Sequence, residues 1–503
     1  MSASVKPRLA GRQPSNRGGV PRVRTWPVAQ GDPASAGPPI HSGPTRPEEG
    51  IVSVATRPFQ IPEQSVVDTA ARVPAVVGEA LRVPLVTGGR IGYANLDHAA
   101  SAPCLRSVRD AVDELLPWYA SVHRGAGFAS QVCTRVYEGA RAKLRAFTGA
   151  RDTDAVVFTR NTTDALNLLA KALPRATSVV VFDTEHHAAL LPWGSGPRVR
   201  RLPAPATPED AVEALDAALA ACPEGPRLAV LTGASNVTGE VWPVAELARV
   251  ARRRGARTVL DAAQLAPHRP VRIGELDIDY VAISGHKLYA PFGAGALVGR
   301  ADWLNAADPY LAGGGATRAV RDSSVGWNLG PERHEAGSPN TVGVHALAAA
   351  CQTLAADGWR PVIEHEALLL RRLRAGLGEV PGLRELSLFG TGHDRVGVVS
   401  FTVDGRDPGL LAAALSAEHG IGVRDGLFCA HLAMQRLLAE SGADSQRALR
   451  VSVGLGTMTE HVDRLVAALH RLVAEGPRWR YEQVDGRWVP VDDPREAPAF
   501  LDG

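Results

Sequence analysis

From Ala155 onward, short apolar runs alternate with segments of helical spacing: AVVFT then TDALNLLAKAL, SVVVF then a further helix, RLAVLTG then VAELARVARRR, then TVLDA and YVAIS. Short continuous apolar runs predict strands buried on both faces, and the 3.6-residue periodicity between them predicts helices that pack on those faces. The alternation therefore predicts an α/β fold with a mostly parallel mixed sheet between helices. Past about Val342 the pattern changes. Amphipathic helices (EHEALLLRRLRAGL, DPGLLAAALSAEHG) mix with short strands (VGVVSFTV, RVSVG), which predicts a smaller α+β domain.

The two ends of the chain do not follow this pattern. Residues 1–88 are rich in Pro, Gly, Ser and Arg, with no acid before Asp32. So little apolar surface cannot offset chain entropy, so disorder is expected at least through Pro47, and 61–85 is expected as a short helix or an arm against the body. Residues 476–503 are polar and aromatic and are expected to lie over the surface or to be mobile. The expected division is an extension at 1–88, a small domain from 89–118 and 345–475, a large domain at 119–344, and a tail at 476–503.

At 503 residues the chain suggests two domains plus extensions, and 45% apolar with 21% charged residues is ordinary for a soluble globular enzyme. The net charge of +2 does not call for a polyanionic partner, and the basic residues of the first segment are not clustered, so no nucleic-acid contact is expected. Five scattered cysteines without a CxxC pair exclude a zinc ribbon and fit a reduced cytoplasm. No uncharged apolar run is long enough to span a bilayer, so no membrane contact is expected.

Chemistry enters at two strand ends. TVLDA closes on Asp261, and YVAIS is followed at once by Gly285-His286-Lys287. Strand ends in open α/β sheets are where ligands bind. Asp and Lys there fit pyridoxal phosphate, whose ring nitrogen needs an anionic partner and whose aldehyde needs an amine. Lysine is otherwise confined to Lys6, Lys143 and Lys171 in an arginine-rich chain. An amine that can lose its proton is what Arg cannot supply, although a solvated strand-end lysine fits the local sequence as well. Arg160-Asn161-Thr162-Thr163-Asp164, between a strand and a helix, offers hydroxyls and free N–H groups for a phosphate, or a plain helix cap. The paired His186-His187 lacks a companion set at ligand spacing, so no metal is expected.

The stretch SGHKLYAPFGAGAL, with Lys287, resembles the lysine region of class V aminotransferase-fold enzymes (fold type I), most of all the group II cysteine desulfurases and selenocysteine lyases; the likeness runs from about Asn95 to Val473. Arg160–Asp164 is similar to "RGTTEAIN", with Asn161 in place of Gly, and implies phosphate binding by Thr162 and Thr163. Ser284 and His286 would join them. Glu185-His186-His187 resembles "EHHANxxPW" with Ala189 in place of Asn, and implies that His186 stacks on the pyridine ring. Asn236, in a segment like "SNVLG", would bond the phenolic oxygen, and Gln264 the same oxygen or the lysine linkage. Glu335–Asn340 resembles "FEAGTPN", which implies that Ser338 reaches the phosphate across a homodimer interface. Ser121–Gly125 is similar to "NVHRG" and would place Arg124 at the substrate entrance. Tyr93–Ala99 resembles "YLDNAA", with His98 for Asn.

The reaction is selected elsewhere. Arg424–Ala430 resembles "RxGHHCA", in which the cysteine receives sulfur; here Leu427-Phe428 replace the His pair before Cys429. A turn at Asp425-Gly426 and a helix start near Ala430 would set the thiol at a helix N-terminus, which favours thiolate. Arg450 resembles the "RxS" arginine that grips the substrate carboxylate. The resemblance implies a desulfurase acting on a small sulfur- or selenium-containing amino acid, with Lys287, Cys429 and His186 in the chemistry and a sulfur-acceptor protein as a further partner. A C–S lyase or aminotransferase with Cys429 idle, and a non-catalytic scaffold of the same fold, are the alternatives.

Overall fold

A computed structural model of the protein describes residues 73–356 and 358–501. The expectations for residues 1–72, disorder through Pro47 and the first part of the arm, lie outside the described residues.

The alternating pattern builds a seven-stranded sheet from β1 (Ala155–Thr159), β2 (Ser178–Phe182), β3 (Val199–Leu202), β4 (Arg227–Thr232), β5 (Arg257–Asp261), β6 (Tyr280–Ser284) and β7 (Gly295–Gly299). Their spatial order is β1-β7-β6-β5-β4-β2-β3. Only β7 runs antiparallel to its neighbours, so β1, β2, β4, β5 and β6 all end on one edge. β3 and β7 were not among the expected runs. β3 reads VRRL because an edge strand exposes part of its surface, and Arg200 and Arg201 stay in solvent. β7 reads GALVG because it begins against the turn before a helix. A Cβ on Gly295 would stand 2.7 Å from the Asn161 Cα, so only glycine fits.

Side chains on successive residues point to opposite faces. Val156, Phe158, Val180, Phe182, Leu231, Leu260, Val281 and Ile283 pack into one core with helices Phe128–Thr148, Val244–Arg253 and Thr341–Ala355. Val157, Val179, Val181, Leu228, Val230 and Ala282 pack into a second core with α1 (Thr162–Ala172). The sheet is thus covered on both faces, which explains why its strands are continuous apolar runs.

The smaller domain is a four-stranded antiparallel sheet of β8 (Leu383–Glu385), β9 (Val398–Val403), β10 (Arg424–Gly426) and β11 (Ala448–Ser452), in the order β8-β9-β11-β10. Its core also takes side chains from helices Arg360–Gly378, Pro408–His419 and Thr459–Glu475. Three features bear on the expected division. The helix Arg106–Leu115 buries Val108, Val112 and Leu115 in the large core, where Thr341–Ala355 also packs, while Ala94–Asn95 and Asp97 pair with the small domain. An amphipathic pattern shows which face is buried and not which core receives it. Residues 73–88, expected in the extension, include the buried Val76 and an edge pairing of Arg82–Pro84 with Arg90–Gly92. The C-terminal tail forms a hairpin, Tyr481–Val484 with Arg487–Pro490, anchored where the buried Glu418 accepts the N–H groups of Arg478 and Trp479 and the Tyr481 hydroxyl.

Candidate active site

Every expected site residue except Arg124 and Ser338 lines one cavity at the strand-end edge of the sheet, between the two domains. The helix α1 supplies its floor. The Asn161 side chain caps it by accepting the Asp164 N–H at 3.0 Å, so the substitution of Asn for Gly gives a helix cap. The Thr162 and Ser284 hydroxyls meet at 2.9 Å, and the Thr162 N–H donates to Ser284 Oγ at 2.8 Å. Hydroxyls and N–H groups gathered at the start of an eleven-residue helix are an arrangement that suits an anion.

Above this seat stands Lys287. Burial, and beyond it Arg450 and Arg424, push its amine down to about 8, while Asp261 and Cys429 act the other way. An amine so placed is largely neutral at mildly alkaline pH. In protein stripped of cofactor, attack of Lys287 on pyridoxal should therefore accelerate between pH 7 and 9 and level off above that; a rise continuing to pH 10.5 would contradict the low value.

Asp261 closes β5 in full burial. Its carboxyl is pushed up by burial and held down by the Ala263 N–H, which donates to Oδ1 at 2.9 Å, and by Lys287. Next to it the buried Glu185, which accepts from the Thr232 hydroxyl, is pushed up to about 8 by burial, with Asp261 adding to the rise. Two carboxyls in one dry site do not share the charge equally, and Asp261 is the one beside a cation. In the sequence, Glu185 is marked only by its place directly before His186.

His186 caps a short turn, its Nδ1 accepting the Ala188 N–H at 3.0 Å. Burial and the nearby Lys287 push its pKa down to about 3, so the ring is neutral and its proton sits on Nε2. Gln264 donates Nε2 to the Ala99 carbonyl at 2.8 Å, so one of its N–H groups is already engaged. Asn236 donates Nδ2 to the Phe428 carbonyl at 2.7 Å.

Arg450 is buried at 2% exposure. One terminal nitrogen donates to Asp97 Oδ1 at 2.9 Å, the other to the Asn236 carbonyl at 3.0 Å, and Nε has no partner among the described residues. A buried guanidinium on the cavity wall suits a carboxylate guest. Cys429 stands one residue ahead of Ala430, the cap of helix His431–Ser441, with its carbonyl taken by the His187 N–H at 2.8 Å.

Arg124 and Ser338 are exposed and lie elsewhere. Arg124 sits against the Gly313–Gly315 turn, and Ser338 lines a separate cavity with Glu335. Among the described residues no three His, Cys, Asp or Glu side chains converge to hold a metal, and no helix is long and apolar enough to cross a membrane.

These residues fit pyridoxal phosphate: an anion seat, a buried carboxylate, a flat neutral imidazole and an amine of lowered pKa line one cavity. The family model for class-V aminotransferases matches residues 94–465. A cysteine desulfurase of Dickeya dadantii is 38% identical over 396 residues, covering 77% of this chain and 93% of the relative. Among solved structures, the apo cysteine desulfurase of Thermococcus onnurineus NA1 superposes with a TM-score of 0.67 at 31% identity, over 76% of this chain and 94% of that one. The cysteine desulfurase CsdA (S-sulfonic acid) of Escherichia coli gives 0.64 at 32%, over 75% and 94%.

Proposed function

Since the chain belongs to the class-V aminotransferase family, we propose that it is a pyridoxal-phosphate-dependent transferase that removes sulfur from L-cysteine and releases alanine. The observation that carries this reading is one cavity holding Lys287, Asp261, Arg450 and Cys429 together. When bound, the cofactor supplies a sink for the electron pair left on the substrate Cα. Thr162, Thr163, Ser284 and His286 would hold its phosphate, His186 would cover its ring, and Asn236 and Gln264 would face its phenolic oxygen. Asp261 would face its ring nitrogen and hold a proton on it.

The protein's own groups then divide the work on the substrate. Arg450 would take the substrate carboxylate from the cavity wall. Lys287 holds the cofactor until substrate arrives and then moves the Cα proton, which needs an amine that is neutral near working pH. Cys429 thiolate attacks the substrate sulfur. The Sγ–S bond forms and the substrate Cβ–S bond breaks with its electron pair left on carbon, so that L-cysteine and the Cys429 thiol become alanine and a Cys429 persulfide. A sulfur-acceptor protein would remove that sulfur.

Ser338 would complete the phosphate seat only from a second copy, and Arg124 would guard the entrance. The segments near them in sequence carry exposed large apolar side chains, Trp118, Tyr119, Phe128, Leu311, Val320 and Leu329. Exposed apolar groups in such number suit a homodimer.

Incubation with L-cysteine and a reductant should yield alanine and sulfide in equal amounts; pyruvate and ammonia instead would establish a C–S lyase. Asp261→Asn should leave cofactor bound while lowering kcat by roughly 10²–10³-fold, the scale for losing one group aimed at developing charge. Turnover near that of the wild type would remove Asp261 from this role.

A further inference from the structure

Phe428 and Cys429 both occupy the left-handed region, with φ of 51° and 55°. Residues with a Cβ rarely adopt it, and two in succession persist only where their surroundings impose it. Three hydrogen bonds do so. The Asn236 side chain donates to the Phe428 carbonyl at 2.7 Å, the His187 N–H to the Cys429 carbonyl at 2.8 Å, and the Ala430 N–H to the Leu427 carbonyl at 2.9 Å.

The fourth restraint is the Phe428 ring. It is 4% exposed and lies under the Arg450 guanidinium, 5.1 Å from the central carbon to the ring centroid. A ring against the guanidinium face leaves the edge donors free. Two of those donors reach Asp97 and the Asn236 carbonyl, which holds the guanidinium plane at the cavity wall. One aromatic residue therefore packs on the arginine that would meet the carboxylate of a cysteine substrate and directly precedes the cysteine that would meet its sulfur.

Resting on the function given above, we propose that Phe428 is a positioning residue for both ends of the substrate. Its ring fixes the plane of Arg450 and so the carboxylate seat. Its left-handed backbone, pinned by Asn236, turns Cys429 into the cavity and away from bulk solvent. The apolar residue that stands in place of the usual histidine acquires a role by this route: a neutral ring that stacks on the arginine without competing for its hydrogen bonds.

The test uses the cofactor-loaded protein with Phe428→Leu and Phe428→Tyr, each checked for the visible absorption of the bound cofactor. The leucine variant should raise KM for L-cysteine roughly ten-fold, the scale of a desolvated cation–π contact. It should also speed iodoacetamide alkylation of Cys429 several-fold, because the loop relaxes toward solvent. The tyrosine variant, which keeps the ring, should stay near the wild type in both. Should the leucine variant lose cofactor, Phe428→Met serves for the same two measurements. An unchanged KM and alkylation rate in the ring-deleted protein, or equal changes in the leucine and tyrosine proteins, would overturn the proposal. If the wild type releases no alanine from L-cysteine, the desulfurase reading has failed, and the alkylation rates alone decide whether the ring pins the loop.

Discussion

Lys287→Ala abolishes turnover and removes the visible absorption of lysine-linked cofactor. Among the described residues, Lys143 and Lys171 lie on helices away from the cavity, so neither can substitute for the amine. Two losses combine. The cofactor loses its covalent anchor, and the Cα proton loses its acceptor, a contribution worth roughly 10²–10⁴-fold by itself. The phosphate seat at Thr162 and Ser284 is untouched, so the variant should still take up cofactor, reversibly and with the spectrum of the free aldehyde. The measurement is an absorption scan followed by an alanine assay. A wild-type spectrum in the variant would mean that another amine holds the cofactor.

Cys429→Ser stops sulfur transfer while leaving substrate binding intact. Serine has no sulfur to form a persulfide, and its hydroxyl is far less ionised than a thiol at neutral pH. Lys287, Asp261 and Arg450 are unaltered, so the cofactor spectrum should still change on adding L-cysteine. Alanine and sulfide production should fall to background. Were Cys429 idle, the exchange would replace one small side chain by another at the cavity wall, and activity on the true substrate would drop only modestly. Sulfur transfer at the wild-type rate in the serine variant would therefore overturn the desulfurase reading and leave the cofactor assignment standing.

Much of this site is legible in the sequence because its residues sit at strand ends. Asp261 and Lys287 follow short apolar runs whose burial the sequence itself announces, and the hydroxyls proposed to bind phosphate sit at a helix start. What could not be read depends on contacts between distant segments. Nothing near Arg450 indicates that its guanidinium is already bound to Asp97, 353 positions earlier. Nor does an apolar Leu-Phe-Cys run announce a left-handed backbone, which is imposed by partners at Asn236 and His187. The edge strand β3 and the glycine-bounded β7 escaped notice because solvent exposure and close packing each remove the apolar signature that marks a buried strand. The amphipathic face of the helix Arg106–Leu115 does not name the core it joins.

The same long-range contacts set a timetable for synthesis on the ribosome. The Thr162–Ser284 hydroxyl pair spans 122 positions, and β1 gains its only sheet neighbour when β7 emerges. A nascent chain that ends before Ser284 has neither β7 nor the Ser284 hydroxyl that meets Thr162, so it should not retain cofactor. One arrested between 299 and 450 could hold cofactor and expose Lys287, yet would lack the arginine that selects an amino acid. Contacts of such sequence separation form slowly, so cofactor capture should precede completion of the substrate pocket. Supplying pyridoxal phosphate during translation, rather than after it, should then raise the yield of folded protein.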